Sequence, residues 1–337
     1  MKFRSILCPV DFSPLSRAAL RCALSLRRRF GGRVAVLFVN DPILLAATNA
    51  ASRGRRRFVD RTETELARFV KQASRGAAQL EDIDLLVSVG NPAEEILRQV
   101  KRSHSDLVVM GSHGLGRLQR VFFGSTTEQV LRNAPVPVLA IPSSAASRSD
   151  AGFDQVTRVI APIDLAGEWQ PDAVRAARIA RALEAHLVLV HVLVPVQSPP
   201  WFRSGANEKR RIEKATAALE RVATRLFPDR PTLSTNVVAG DPAHEIARLA
   251  RRRGALVVMA LRGTAGVWGL RRGAVAYRVL AHTATPVLAL PRRRIGGPFA
   301  ARVRRAVGAM LTARDRAEMA GIDAMLSIGA RRKPLKP

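Results

Sequence analysis

The sequence predicts an α/β fold built twice over, and three observations point to it. The interior has to be aliphatic, because 47% of the 337 residues are hydrophobic but only 5% are aromatic; that composition suits parallel strands and their covering helices. Short apolar runs alternate with amphipathic stretches of helical length, the order that yields β-α-β units. Finally, four segments of the first half return in the same order in the second, offset by 149 to 153 residues. Ser5-Ile-Leu-Cys-Pro-Val-Asp11 becomes Arg158-Val-Ile-Ala-Pro-Ile-Asp164, and Gly90-Asn-Pro-Ala-Glu-Glu-Ile96 becomes Gly240-Asp-Pro-Ala-His-Glu-Ile246. Leu107-Val-Val-Met110 and Val136-Pro-Val-Leu-Ala-Ile-Pro142 return as Leu256-Val-Val-Met259 and Thr285-Pro-Val-Leu-Ala-Leu-Pro291. Such a period marks an internal duplication. The expected architecture is two tandem, doubly wound, five-stranded parallel-sheet domains followed by a basic helical C-terminal tail.

Each element has its own signal. Phe3 to Val10 is an apolar run of strand length, and after it Ser13 can cap a helix whose first turn holds Pro14. That helix runs to about Phe30, where Gly31-Gly32 stops it, and Arg33 to Val39 reads as a second buried strand. The Arg-rich stretch 51–77 is expected to contain the second helix. Leu85 to Val89 is the third strand, Pro92 to Val100 a helix, and Asp106 to Met110 the fourth strand. A helix from about Ser125 and a strand over Val138 to Ile141 complete the first domain, 1–142. Residues 143–155 are small and polar and read as a linker. The second domain spans 156–291, and 292–337 is a basic extension with helical potential from about Ala300 to Leu326 and an unstructured end.

The formal charge is +28. Its distribution tempers the first inference, nucleic acid or an anionic membrane surface. The excess is +10 over 1–150, +9 over 151–291 and +9 over the last 46 residues, so only the tail is dense in charge. A spread excess reads as a solvated surface, and a nucleic-acid or acidic-surface contact is expected through the tail alone. Two cysteines, Cys8 in a strand and Cys22 on a helix, form neither a disulfide framework nor a metal cluster, which points to a reducing compartment. No apolar run reaches the roughly 18 residues of a membrane span. The expected location is the cytoplasm.

The stretch that carries chemistry is Met110-Gly111-Ser112-His113-Gly114, nine further residues, then Gly124-Ser125-Thr126. Two glycines three apart let the backbone turn at a strand end and approach a ligand closely. Gly124-Ser125-Thr126 opens a helix whose free N–H groups and positive dipole end suit a phosphate, with two hydroxyls as further donors. Ligands of doubly wound sheets lie beyond the carboxyl ends of the strands at the topological switch point, which the first and fourth strands should flank. Asp11 then lies beside the nucleoside, able to accept from ribose hydroxyls or an exocyclic amine.

Pro9-Val10-Asp11 ending a strand, together with Gly111, Gly114, Gly124 and Ser125 at this spacing, Gly90-Asn91-Pro92 and Pro137-Val138-Leu139, resembles the ATP-binding class of universal stress proteins. The resemblance covers 1–142 and 156–291. It implies a five-stranded domain of the kind shared with the adenine nucleotide α-hydrolases, with adenine near Pro9, Val10, Asp11 and Val39. Phosphates are implied at Met110, Gly111, His113 and Gly114 and at Gly124, Ser125 and Thr126, with ATP, with or without magnesium, as the ligand. It also implies that the fifth strands, Val138 to Ile141 and Val287 to Leu290, meet in an intramolecular pseudo-dimer; a homodimer of two chains stays open.

The second half departs from this pattern. Ala260 stands where Gly111 does and Ala274-Val275 where Ser125-Thr126 do, although Gly263, Gly273 and Asp164 remain and Arg262, Arg271 and Arg272 offer charge. A Cβ at 260 crowds the approach to phosphate, so no ligand is expected in the second domain. No Walker-type phosphate loop, no Gly-x-Gly-x-x-Gly after the first strand, no nucleophile elbow and no Cys/His cluster occurs. His113 has no carboxylate or Ser partner at a spacing that would make it a catalytic base. The expectation is a stress-response protein that binds ATP to set conformation or partner choice. Slow ATP hydrolysis or nucleotidyl transfer in the same cleft, and a scaffold acting through the tail, are the alternatives.

Overall fold

The computed structural model describes residues 3–43, 54–74, 83–112, 124–145, 153–165, 170–195, 205–227, 232–261 and 274–291. The tail expected to be helical lies outside them, as do His113 and Gly114. In chain order the first repeat runs β1 (Ser5–Val10), α1 (Pro14–Phe30), β2 (Arg33–Asn40), α2 (Gly54–Ser74), β3 (Ile83–Val89), α3 (Pro92–Arg102), β4 (Leu107–Gly111), α4 (Ser125–Asn133) and β5 (Val138–Ile141). The second runs β6 (Arg158–Pro162), α5 (Gln170–Ala182), β7 (His186–Leu193), α6 (Gly205–Leu226), β8 (Leu233–Ala239), α7 (Pro242–Leu249), β9 (Ala255–Ala260), α8 (Ala274–His282) and β10 (Val287–Leu290).

α1 and α3 begin where the local chemistry says they should. Ser13 caps α1, its hydroxyl accepting from Ser16 N–H at 3.1 Å, and Pro14 follows in the first turn. The Gly31 N–H closes that helix on Arg27 C=O at 2.8 Å. Asn91 caps α3 through Ala93 and Glu94. The turn before α3 also needs glycine: Gly90 holds φ +149°, and a Cβ there would stand 2.9 Å from Glu95 Oε1. Glu95 accepts from Ser88 Oγ at 2.6 Å and pairs with Arg98, and these contacts, the Ser88 bond first, hold its carboxyl below the usual range. The second repeat copies the device with Gly240 at φ +154° against Glu245, which binds Arg248.

One compact unit is built from Met1–Val156 and Ala250–Arg292. Within it the strand order is β3-β2-β1-β4-β5-β10-β9. β1 pairs in parallel with β2 (Val10 opposite Phe38) and with β4 (Leu7 opposite Val108), and β4 pairs in parallel with β5. β5 meets β10 antiparallel, Leu139 opposite Leu288, and both strands are buried along their length. This pairing covers an edge that would otherwise be open. Helix α1 packs on α2 and α3 on α4. Of the 143–155 stretch, Ser143–Ala145 and Phe153–Gln155 form short 3-10 turns, and Phe153, 3% exposed, sits against α1; a polar reading of that stretch did not anticipate this anchor. The other unit is centred on Thr157–Leu249, where β6, β7 and β8 are parallel neighbours in that order.

The outcome follows the expected α/β architecture with small shifts. The first strand starts at Ser5 because Phe3 instead turns its ring edge-on to Phe30, centroids 6.0 Å apart. Among the described residues, no helix is long and apolar enough to cross a membrane.

Candidate functional site

The direction of chain crossover reverses between β1 and β4, and a crevice at the carboxyl ends of those strands is where such a sheet accepts a ligand. The sequence-derived residues that are described lie at the ends of the elements around it. Pro9 and Val10 end β1, Asp11 follows, Val39 lies near the end of β2, and Met110 and Gly111 end β4. Continuing the β1–β2 register past Val10 and Phe38 brings Asp11 level with Val39. Gly124, Ser125 and Thr126 begin α4.

The start of α4 is fastened to the end of β4 by groups that the glycine pattern does not include. Thr127, 3% exposed, donates its hydroxyl to Gly111 C=O at 2.9 Å. Ser112 donates its N–H to Ile141 C=O at 2.9 Å and accepts from Gly124 N–H at 3.3 Å. Two strand ends and a helix N-terminus are thus held together on both sides of residues 113–123. Only the hydroxyl of Thr127, next to the Ser-Thr pair, could have signalled this in the sequence. In the second repeat the matching residue is Ala276, which cannot make that bond.

Gly124 is the N-cap of α4, at φ −59° and ψ 135°, and among the described residues no side-chain cap bonds to the first-turn amides there. By contrast α1 and α3 spend first-turn amides on Ser13 and Asn91. Uncapped amides keep their donors and the positive end of the helix dipole for an incoming anion. Ser125 is exposed and Thr126 half-buried, so both hydroxyls are within reach of such a group.

Asp11 has two jobs in view. Its Oδ1 accepts from Ser13 N–H at 3.1 Å, and its own N–H donates to Ser16 Oγ at 3.3 Å, which fixes the entry to α1. One carboxylate oxygen remains for a ligand, since a carboxylate has about four lone-pair positions. Phe12 follows at φ 60°, the left-handed region that side chains other than glycine rarely adopt, and its ring lies 4.5 Å from Phe38 and 5.4 Å from Phe69. Arg17 sits over Phe69 at 5.1 Å. This aromatic cluster was not anticipated from the sequence, because Phe12 and Phe69 stand 57 positions apart.

The second repeat keeps the frame and changes its chemistry. Leu261 N–H bonds Leu290 C=O at 3.2 Å as Ser112 bonds Ile141, but β9 ends in Ala260 and α8 opens Ala274-Val275. His191 stands where Phe38 does. Its Nδ1 donates to Ile163 C=O at 3.1 Å while Nε2 is buried without a partner among the described residues, and burial lowers its pKa despite that bond and the nearby Asp164. Among the described residues no group of three His, Cys, Asp or Glu could hold a metal. A cavity of about 470 Å³ between β3 and α3, touching Ala35, Asp84, Leu86 and Gln99, lies toward the amino ends of the strands, away from the crevice.

Comparison with known proteins agrees with this arrangement. The chain is 26% identical over 294 residues to a universal stress protein of Mycolicibacterium smegmatis, covering 86% of this chain and 97% of the relative. A universal stress protein of Methanocaldococcus jannaschii is 28% identical over 153 residues, 41% of this chain and 94% of the relative. The crystal structure of a universal stress protein from Archaeoglobus fulgidus superposes with a TM-score of 0.57 at 19% identity, over 87% of this chain and all of that one, a likeness of fold. The model of the universal stress protein family matches twice, at residues 2–142 and 156–291, and the chain belongs to that family.

Proposed function

We propose that the first repeat binds ATP and that the second serves as its structural partner. The observation that carries the reading is the N-terminus of α4: a glycine cap, first-turn amides that no side-chain cap consumes among the described residues, and the hydroxyls of exposed Ser125 and half-buried Thr126, clamped by Thr127 against the end of β4. That set of donors suits a polyphosphate. Adenine would lie against Pro9, Val10, Asp11 and Val39, and the phosphates against Met110, Gly111, His113 and Gly114 and against Gly124, Ser125 and Thr126. Magnesium, if it accompanies the nucleotide, would be held by phosphate oxygens and water, its usual arrangement where few carboxylates are offered.

The mechanism is one of binding. The clamp joins β4, β5 and α4, so a ligand that tightens the start of α4 favours one arrangement of these elements over others, by as much as its affinities for the two differ. A nucleophile, a base and a metal site would all be needed for efficient phosphoryl transfer, and the described crevice residues do not supply that set. We therefore read ATP as a conformational or signalling ligand of a cytoplasmic stress-response protein. Titration calorimetry with Mg-ATP tests this: one site per chain is expected, lost in Gly114→Val and weakened in Ser125→Ala. An unchanged isotherm in both variants would contradict it.

A further inference from the structure

Strand β3 pairs with β2 on one side, and among the described residues nothing pairs with its other edge. Gly90 N–H donates to Asn40 C=O, and the register runs unbroken from Val34 opposite Ile83 to Asn40 opposite Val89. Backbone groups alternate sides along a strand, so those of Asp84, Leu86 and Ser88 turn to β2. Those of Ile83, Leu85, Val87 and Val89 turn to the free edge. Leu85, Leu86, Val87 and Ser88 are half-buried, and Val89 is 38% exposed. Edge strands are usually kept from pairing with other chains by brevity, lysine, proline or a bulge. β3 is seven residues long and has none of these. Its one charge, Asp84, is exposed and has no partner among the described residues.

The order of residues along β3 says what fits that edge. Ile83-Asp-Leu-Leu-Val-Ser-Val89 reads apolar, polar, three apolar, polar, apolar in either direction, with Leu86 at the centre. Laid antiparallel on a second copy of itself, Leu86 meets Leu86, Leu85 meets Val87, Asp84 meets Ser88 and Ile83 meets Val89. This register joins the outward backbone groups, Leu85 with Val87 and Ile83 with Val89, in hydrogen-bonded pairs, and leaves Leu86 in a close, non-hydrogen-bonded pair on the dyad. It also keeps the two aspartates apart. Asp84 of one copy comes beside Ser88 of the other, whose hydroxyl bonds Glu95 at 2.6 Å; Glu95 in turn pairs with Arg98, a side chain 49% exposed. A cation therefore stands near the place where each Asp84 arrives. β8, the matching strand of the second repeat, has no such symmetry: reversed about Asn236, its sequence sets Ser234 on Val238 and Thr235 on Val237.

We propose that the open edge of β3 is a self-recognition surface: two copies of this chain pair β3 with β3, antiparallel about Leu86, with Asp84 of each copy facing Arg98 of the other. The contact is isologous and closes at two chains, because each copy contributes the same strand and uses it up. It involves neither the crevice at β1 and β4 nor the β5–β10 pairing within one chain.

The test is sedimentation equilibrium of the full chain in about 0.15 M salt, which screens exposed charges beyond about 8 Å, so that the +28 charge of each copy does not hold two copies apart. The mass should rise with concentration from 36.7 kDa to twice that and stop there. Leu86→Lys, which sets two ammonium groups on the dyad, should abolish the dimer, and Asp84→Lys, which sets a cation against Arg98, should weaken it about tenfold. Two cysteine variants read the register without depending on either, since Cys8 and Cys22 are buried. On oxidation with diamide, Leu86→Cys should join two chains through a disulfide. Asp84→Cys should not, because its two copies lie four residues, about 13 Å, apart along the paired strands. A monomer at every concentration overturns the proposal, as does a mass that grows past two chains. A dimer that Leu86→Lys leaves intact, or Asp84→Cys linking as readily as Leu86→Cys, puts the contact elsewhere and overturns it too.

Discussion

At Phe12 two local preferences compete. The backbone at φ 60° favours glycine, yet the ring packs on Phe38 and Phe69. Removing the ring should cost about 3 kcal/mol, the lower range for core Phe→Ala changes, because Phe12 is half-buried. Phe12→Gly should then be less destabilising than Phe12→Ala by about 1 kcal/mol, since glycine adopts positive φ freely. Denaturant unfolding of both variants decides the order; Ala above Gly would mean the backbone there is unstrained. His191 gives a second test. Burial favours its neutral form, so the unfolded chain binds the proton more readily and stability falls as pH drops below the ordinary histidine value of 6.5. Replacing it with the Phe of the first repeat, His191→Phe, should flatten that acid limb in thermal melts, and an identical limb would assign the acid sensitivity to other groups.

Among elements, α4 differs from α1 and α3 in opening on a glycine cap that supplies no side chain to the first-turn amides. Gly124→Ser would supply a hydroxyl to a first-turn amide and should raise the stability of the nucleotide-free protein by a few tenths of a kcal/mol, because Gly is only slightly worse than Ser at an N-cap. The same hydroxyl competes with phosphate for the amides, so ATP affinity should fall. Affinity and stability moving up together would contradict the anion-binding role of this helix start. The elements themselves were largely legible in the sequence: Ser13-Pro14 and Asn91-Pro92 announce α1 and α3, Gly31 ends α1, and apolar runs mark the strands. The glycine loop and its spacing were legible too, since close backbone approach demands glycine in the chain itself. The Thr127 clamp and the aromatic cluster were not, because each depends on residues brought together by the fold rather than by sequence distance.

For the molecule as a whole, duplication has produced two repeats with one frame and unequal chemistry. β5 and β10 pair antiparallel, and the Arg132 guanidinium of α4 lies 5.5 Å from the ring of Tyr277 on α8, so the helices that follow the intact and the degraded loop touch. Burial raises the Tyr277 pKa in spite of that cation. The repeat offset showed the duplication in sequence. It did not show that Ala250–Arg292 form one compact unit with the first repeat, because β9 and β10 join it through strand pairing that leaves no periodic trace. The central claim is that the first repeat holds one adenine nucleotide. The most direct measurement is to denature freshly purified protein and identify the released nucleotide by mass spectrometry, beside Gly114→Val. The account predicts ATP at up to one per chain, absent from the variant; no nucleotide, with no calorimetric heat on adding Mg-ATP, would contradict it.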